Sequence, residues 1–358
     1  MAAERIIRAE PLSALAHRIV GAGGSGAREA ALVAHNLVEA NLTGHDSHGV
    51  GMLPRYVEAL QEGGLRPNEQ LAVTLDSGAL LTLDGRQGYG QVIGHEAIEL
   101  GAARAKQHGV CVIGLAHAHH LGRIGHWAEQ CSGHGLVSIH FVNVIARPIV
   151  APFGGRDARF GTNPFCVGIP RAGAAPIVLD FATSKIAQGK TRVAHNRGLP
   201  IEAGTLIDDR GEPTTDPRFT VIAPYGALRT FGEHKGSGLA LVCELLGGAL
   251  AGGSTCHAPA GAERRVLNSM FSILVDPGRL GTAANLAHEM AAFVDWYAAS
   301  PPAEGVSHVA LPGEPEREHR RRREAEGIAV DAVTWQEIIT AGEKLGVAAG
   351  ELERLAAA

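Results

Sequence analysis

Residues 42–52, "LTGHDSHGVGM", place His45, Asp46, Ser47 and His48 between Gly44 and Gly49, directly after an apolar helical pattern. Short polar residues between glycines form a loop whose side chains can face a cleft, and a histidine there exchanges protons near neutral pH. A plain helix stop, with Asp46 and Ser47 capping backbone groups, uses the same residues. A second concentration, "LAHAHHLGRIGHWAEQ" at 115–130, follows an apolar strand pattern and opens a helix carrying His117, His119, His120, Arg123 and His126. Gly122 and Gly125 let the backbone approach an anion at that helix N-terminus, where Arg123 adds a fixed charge. Metal binding by this cluster fits less well, because His-x-His-His does not set three ligands on one face and Glu129 is the one carboxylate nearby.

"FGTNPFCVGIP" (160–170) and "PIVLDFATSKIAQGK" (176–190) form a third concentration. Asp180 ends a strand pattern, and Thr183 and Ser184 fall where the next helix would begin, so hydroxyls and amides converge there. Asp180 could accept from a ribose diol, whereas ordinary capping accounts for Thr183 and Ser184 alone. The fourth, "FGEHKGSGLALVCELL" (231–246), sets His234 and Lys235 before Gly236 and Gly238 at the start of an apolar helix. Loaded helix N-termini beside loop histidines fit an extended polyphosphate cofactor next to a proton-transfer site.

The elements that position these residues follow from periodicity. "RIVGAGGSGAREA" contains Gly21-x-Gly23-x-x-Gly26, the spacing of a dinucleotide loop. Its context is wrong for one. Leu12, Leu15, Ala16 and Ile19 upstream form a helical stripe, and Ala30, Val33, Ala34, Leu37 and Val38 repeat it downstream, behind Ser25 as N-cap. The glycines therefore link two helices. After Tyr56 the texture changes: "ALLTLDGRQGYGQV" reads as a strand, an Asp84-Gly85 turn and a loop, "HEAIELGAARAKQHG" as a helix and "VCVIGL" as a buried strand. "GLVSIHFVNV", "PIVLDFA" and "FSILVD" are further strands, with helices predicted at 123–134, 235–251 and 285–299. The class is α/β. The last fifty residues return to helix in "EREHRRRREAEG" and "VTWQEIITAGEKLG" and are expected to pack with the helical start.

The chain of 358 residues, 45% hydrophobic with 47 glycines, supports a large core. A formal net charge of −5 leaves no basic field for nucleic acid, and the run "HRRRR" (319–323) is flanked by glutamates, as in a solvated charged helix. Five cysteines without a C-x-x-C pair suit a reducing cytosol. The N-terminal residues lack a leader pattern, and the longest apolar run is broken by Glu244 and glycines, so a cytoplasmic chain with no membrane span is expected.

As an ordered set, "GHDSHGV", "HHLGRIG", "FGTNP", "LDFATS" followed by "GK", "HKGSGLAL" and "LPGE" resemble the malate/L-lactate dehydrogenase-like oxidoreductases along nearly the whole chain. That resemblance implies a non-Rossmann α/β fold with a central mixed sheet. It also implies a helical domain from residues 1–75 with 312–358, around a cofactor-binding α/β domain at 76–311. By the same resemblance His48, His120 and Ser47 are catalytic, with an imidazole giving the substrate oxygen its proton. The cofactor would be held by His48, Gly122, Arg123, Ile124, Val178, Leu179, Asp180, Phe181, Ala182, His234, Lys235, Gly236, Asn268, Gly313, Glu314, Pro315 and Glu316, and the substrate by Arg123, Thr162 and Asn163.

NAD(H) is the implied cofactor, with NADP(H) left open, and no metal is needed. A small 2-oxo or 2-hydroxy acid is the expected substrate and a second copy of the chain the expected partner. Reduction of a cyclic imine such as a pyrroline or piperideine carboxylate is the sibling activity, and metal-dependent hydrolysis or lyase chemistry at the histidine cluster a more distant one. One residue departs from the pattern: Met52 stands where many relatives carry a substrate-binding arginine, so Arg55, Arg123 or Arg147 must supply the cation, Arg123 being favoured by its place in a matched motif.

Overall fold

The apolar stripes predicted at the N-terminus are the buried faces of α1 (Ala9–Ala22) and α2 (Ala27–Leu42), which pack against each other as a helical hairpin. The computed structural model describes residues 4–257 and 266–357. The glycine stretch is the hairpin's turn: Gly23 ends α1, Gly24 takes a φ of +98° and Gly26 precedes α2. Contrary to expectation Ser25 does not cap α2, whose N-cap is Gly26; the Ser25 hydroxyl bonds Glu29 Oε1 at 2.6 Å, and Gly26 N donates to Asn68 Oδ1.

Around this hairpin close α3 (Leu53–Gln61) and, from the other end of the chain, α10 (Glu314–Glu326), α11 (Ala332–Lys344) and α12 (Ala349–Ala357). Tyr56, Val57, Trp335, Ile338 and Leu352 join Leu15 and Leu37 in one core. Two short strands, β1 (Arg5–Ile7) and β12 (Ile328–Val330), pair antiparallel and tie the ends together. The arginine run is more than a solvated face: Arg320 pairs with Glu39 of α2, and Arg323 reaches Asp46 at 2.7 and 2.9 Å.

A second core lies under a seven-stranded sheet of order β2-β3-β4-β11-β5-β6-β7. These strands are β2 (Ala72–Asp76), β3 (Leu80–Asp84), β4 (Val110–His119), β5 (Val137–Ile145), β6 (Phe165–Arg171), β7 (Ala174–Phe181) and β11 (Leu267–Val275). The sheet is mixed: β3 and β4 run parallel and the other neighbours antiparallel. α4 (Gly90–His108) and α5 (Gly125–Gly133) cover it, burying Ile93, Ala97, Ile98 and Trp127.

A smaller sheet of β8 (Leu206–Ile207), β9 (Pro213–Thr214) and β10 (Ala227–Leu228) follows α6 (Gln188–Asn196), with α7 (Arg218–Val221) between β9 and β10. α8 (His234–Cys243) continues as a π-helical turn over Glu244–Leu250, and α9 is Ala283–Ala298. The strands β2 and β6 and the small sheet carry no clear alternation and were not predicted.

Thr183 and Ser184 are the clearest local correction. They lie in an irregular segment, bonding Thr162 O and Ile186 O, and the next helix starts only at Gln188. Close helix packing depends on Gly94, where a β-carbon would stand 2.7 Å from the fully buried Trp127 ring. Gly94→Ala is expected to destabilise the protein by about 1–2 kcal/mol despite alanine's better helix propensity, because overpacking outweighs it; the midpoint of denaturant unfolding measures it.

Candidate active site

The loop after α2 is folded around Asn41 and Asp46. Asn41 Nδ2 donates to Asp46 Oδ1 at 2.6 Å and Asn41 Oδ1 accepts from Val50 N at 2.8 Å, while Gly49 leaves the space a β-carbon would take from Asn41. This frame turns Asp46–His48 into a single 3₁₀ turn. Ser47 Oγ stands 2.9 Å from His48 Nδ1, and Gly189 of α6 packs over Ser47 where no side chain would fit.

His120, just beyond β4, stacks on His48 with ring centroids 5.4 Å apart and planes 23° from parallel. Its Nδ1 lies 2.8 Å from the hydroxyl of Tyr56 on α3, which receives a hydrogen bond from Gln91 Nε2 on α4 at 2.6 Å. Gly90 lets α4 start directly against the carbonyls of His119 and His120; a β-carbon there would lie 2.3–2.4 Å from them. Burial pushes His48 down to about 4, helped by the positive charges of His45 and Arg123, and pushes His120 well below the ordinary range. Both imidazoles are therefore neutral at pH 7.

The histidine cluster straddles two elements, contrary to the reading that put it on one helix. β4 runs on to His119, so His117 and His119 are strand residues; His117 lies by Asp84 at 3.4 Å and His119 is fully buried, while only His126 is in α5. Among the described residues no three His, Cys, Asp or Glu side chains are grouped as metal ligands.

The turn between β4 and α5 meets the end of β7. Gly122 takes a φ of +74°, and Arg123, 3% exposed, pairs with Glu129. Gly125 N donates to Asp180 Oδ2 at 2.7 Å, so the first free amide of α5 is met by a carboxylate of this chain. Burial raises the pKa of Asp180 against the pull of Arg123. The run before α10 docks on the same strand: Val178 N donates to Pro312 O at 3.2 Å, and Gly313, with φ +88°, packs against Val178. Glu314 caps Leu311 N, and Glu316 reaches His45 at 3.4 Å. Ile124 is buried as the N-cap of α5, whereas Leu179 is exposed.

These contacts bring together Gly122–Ile124, Val178–Asp180 and Gly313–Glu316 of the residues expected to hold a cofactor. The glycines leave open backbone, and Arg123 Nε is buried without a partner among the described residues. Phe181 packs edge-on against Phe231, ahead of His234 and Lys235, which stand exposed at the start of α8. Gly236 fits there because a β-carbon would strike Phe231 O.

Two side chains of the sequence-derived set, and the backbone of a third residue, serve the structure. Asn268 accepts from Leu121 N at 2.8 Å and donates to Asn143 O at 3.0 Å, clamping β11 to the turn that carries Gly122. Asn163, fully buried, accepts from Val144 N and donates to Ala240 O and Glu244 Oε2, which engages both amide protons within the protein. Thr162 receives two bonds from Thr183 at its backbone carbonyl. Tyr56 and Gln91 were missed; their one sequence signal is a hydroxyl and an amide at positions helical packing buries.

The pattern of the malate/L-lactate dehydrogenase family matches residues 7–339. The chain belongs to that family. It is 49% identical over 326 residues to hydroxycarboxylate dehydrogenase B of Escherichia coli K12, covering 90% of each chain. It is 35% identical to Delta(1)-pyrroline-2-carboxylate reductase 1 of Burkholderia ambifaria over 71% of this chain and 73% of that one. An E. coli chain solved as a candidate malate/lactate dehydrogenase superposes with a TM-score of 0.94 at 46% identity, covering 98% of both chains. Family membership and the mixed-sheet fold thus agree with the motif resemblance.

Asn268→Ala tests the clamp. Leaving the Leu121 amide and the Asn143 carbonyl unmet is expected to cost about 1–3 kcal/mol of stability and to weaken NADH binding while the His48–His120 pair stays in place, which titration calorimetry beside thermal unfolding will read.

Proposed function

We propose that this protein is an NAD(H)-dependent 2-hydroxy acid dehydrogenase working as a 2-oxo acid reductase. The observation that carries the reading is the stacked pair of neutral imidazoles, each with Nδ1 held by a hydroxyl, which leaves Nε2 of His48 and of His120 as the working nitrogens. A bound nicotinamide would supply hydride to the substrate's C2. The chain's own part is to hold the acid, exclude water and place a proton on the carbonyl oxygen.

His48, oriented by Ser47, is assigned as the proton donor, and His120 polarises the same oxygen. A 2-oxo acid brings a carboxylate beside imidazoles that burial keeps neutral, so its binding favours uptake of a proton by His48. For that carboxylate the geometry favours Arg55 over Arg123 and Arg147. Arg123 is committed to Glu129 and neighbours Asp180, and Arg147 stacks on Tyr225 and donates to Thr220 O. Arg55, which pairs with Glu58 at 3.0 Å, is favoured by its place and not by a lack of partners: it lies one helical turn beyond Met52 on α3, close enough to His119 to lower its pKa, and its side chain is 31% exposed.

NAD(H) is favoured over NADP(H) because carboxylates, Asp180 and Glu316, stand where the three cofactor segments meet and would repel a 2′-phosphate. A homodimer is supported by α9, on which Val294 alone is buried while Phe293, Trp296 and Tyr297 are exposed, and by exposed Leu241, Val242, Leu245 and Leu250 after α8. All five cysteines are free, which fits a cytoplasmic chain, and no helix among the described residues is long and apolar enough to cross a membrane.

NADH and NADPH oxidation against 2-oxo acids and cyclic imines tests the reading, the imines separating the sibling activity. Turnover of 2-oxo acids with NADH is expected, with His48→Ala lowering kcat by roughly 10²–10⁴-fold; turnover indifferent to His48 would overturn it. Arg55→Ala is expected to raise KM for 2-oxo acids by roughly tenfold or more while leaving that for NADH unchanged. The pH dependence has a defined sign. Oxidation needs neutral His48, so its kcat/KM is expected to stay flat at neutral pH and to fall as pH drops through about 4. Reduction needs protonated His48, so its kcat/KM falls tenfold for each pH unit above that value.

A further inference from the structure

The relay behind His120 is a feature the proposed chemistry does not by itself explain. Tyr56 is 1% exposed and Gln91 2% exposed, so neither hydroxyl nor amide has bulk water as an alternative partner. Gln91 Nε2 is a donor, and it points at the Tyr56 oxygen at 2.6 Å. A phenol has a single proton; with its oxygen already accepting from Gln91, that proton goes to the remaining neighbour, His120 Nδ1 at 2.8 Å. An imidazole that accepts at Nδ1 carries its own proton on Nε2.

The other end of the amide, Gln91 Oε1, is buried without a protein partner among the described residues, and Gln91 lies at a cavity of about 340 Å³ with Asn36, His35, His95, His126 and Gln130. Were the amide reversed, Oε1 would take the phenol proton, and His120 would present Nδ1–H to Tyr56 and a bare Nε2 to the substrate.

We propose that Gln91 is a positioning residue that, through Tyr56, sets His120 in the Nε2–H tautomer, so that the imidazole faces the substrate as a hydrogen-bond donor. The device is a chain of two directed hydrogen bonds from α4 to α3 to the end of β4, and no group in it titrates. It rests on His120 facing the substrate oxygen, as in the reading above.

The test uses the full chain with ¹⁵N-labelled histidine. Long-range proton–nitrogen correlation spectra identify the His120 resonances by their loss in His120→Gln, and the two nitrogen shifts report the tautomer directly. The native protein is expected to show His120 as Nε2–H. Gln91→Glu reverses the relay, because a carboxylate can only accept the phenol proton, and is expected to convert His120 to Nδ1–H. In the same variant kcat for 2-oxo acid reduction should fall roughly ten- to a hundredfold, with KM for NADH unchanged.

Gln91→Leu and Tyr56→Phe, which remove the relay without adding charge, should each leave a mixture of tautomers. A native His120 found as Nδ1–H, or a tautomer indifferent to all three variants, overturns the proposal. A tautomer that follows Gln91 in a protein without reductase turnover would uphold the relay and sink the reductase reading instead.

Discussion

Two stacked imidazoles, His120 buried and His48 half-buried, each needing a partner at Nδ1, set the requirement that the surrounding elements meet. A buried ring nitrogen or hydroxyl left unmade costs about 1–3 kcal/mol, so hydroxyls must come to the rings and further groups must hold the hydroxyls. Ser47 serves His48 from the adjacent position. His120 is served from two other helices, which is possible only because Gly90 allows α4 to begin against the carbonyls of His119 and His120. His119 is the exception: fully buried, with neither ring nitrogen partnered among the described residues, and pushed down to about 3 by burial. It packs edge-on against Tyr56 as a neutral aromatic, contributing shape to the wall that fixes the relay.

The cofactor side obeys a different constraint. An α-helix start that is to face an anion should keep its amides free, yet Gly125 N is engaged by Asp180, and Arg123 by Glu129. The charges of this turn are therefore largely balanced within the protein, which keeps Arg123 fixed and leaves backbone, opened by glycine, as the surface for a ligand.

Much of this was legible. The stripes of α1 and α2, the strands β3, β4, β5, β7 and β11 and the helix starting at His234 follow from periodicity, and context alone separates the Gly21–Gly26 hairpin turn from a phosphate loop. His48 was readable as a histidine in a glycine-bounded loop, and His120 as a member of a histidine cluster, though one assigned to a helix. Their stacking was not, because it is made by elements far apart in sequence. Asn163 and Asn268, polar residues inside recognisable motifs, also carry a structural task that the motifs do not reveal, since the fold uses their side chains to meet backbone groups. Ser25, Thr183 and Ser184 looked like caps, a role that depends on where a helix actually starts and that hydroxyl chemistry alone does not determine.

Helix α10 shows how far apart sequence and consequence can lie. Read alone, "EREHRRRREAEG" is a charged surface helix, and its charges are individually worth little at a surface. In the fold, Arg323 holds Asp46 and the carbonyl of Asn41, the two anchors of the turn that carries Ser47 and His48, while Glu316 meets His45. The same helix begins at the run docked on Val178 beside Asp180. One rigid element thus touches both the cofactor segments and the proton-transfer turn. Arg320 on Glu39 keeps that helix seated on α2, so the run at Gly313–Glu316 and the turn that carries Ser47 and His48 are joined by one element.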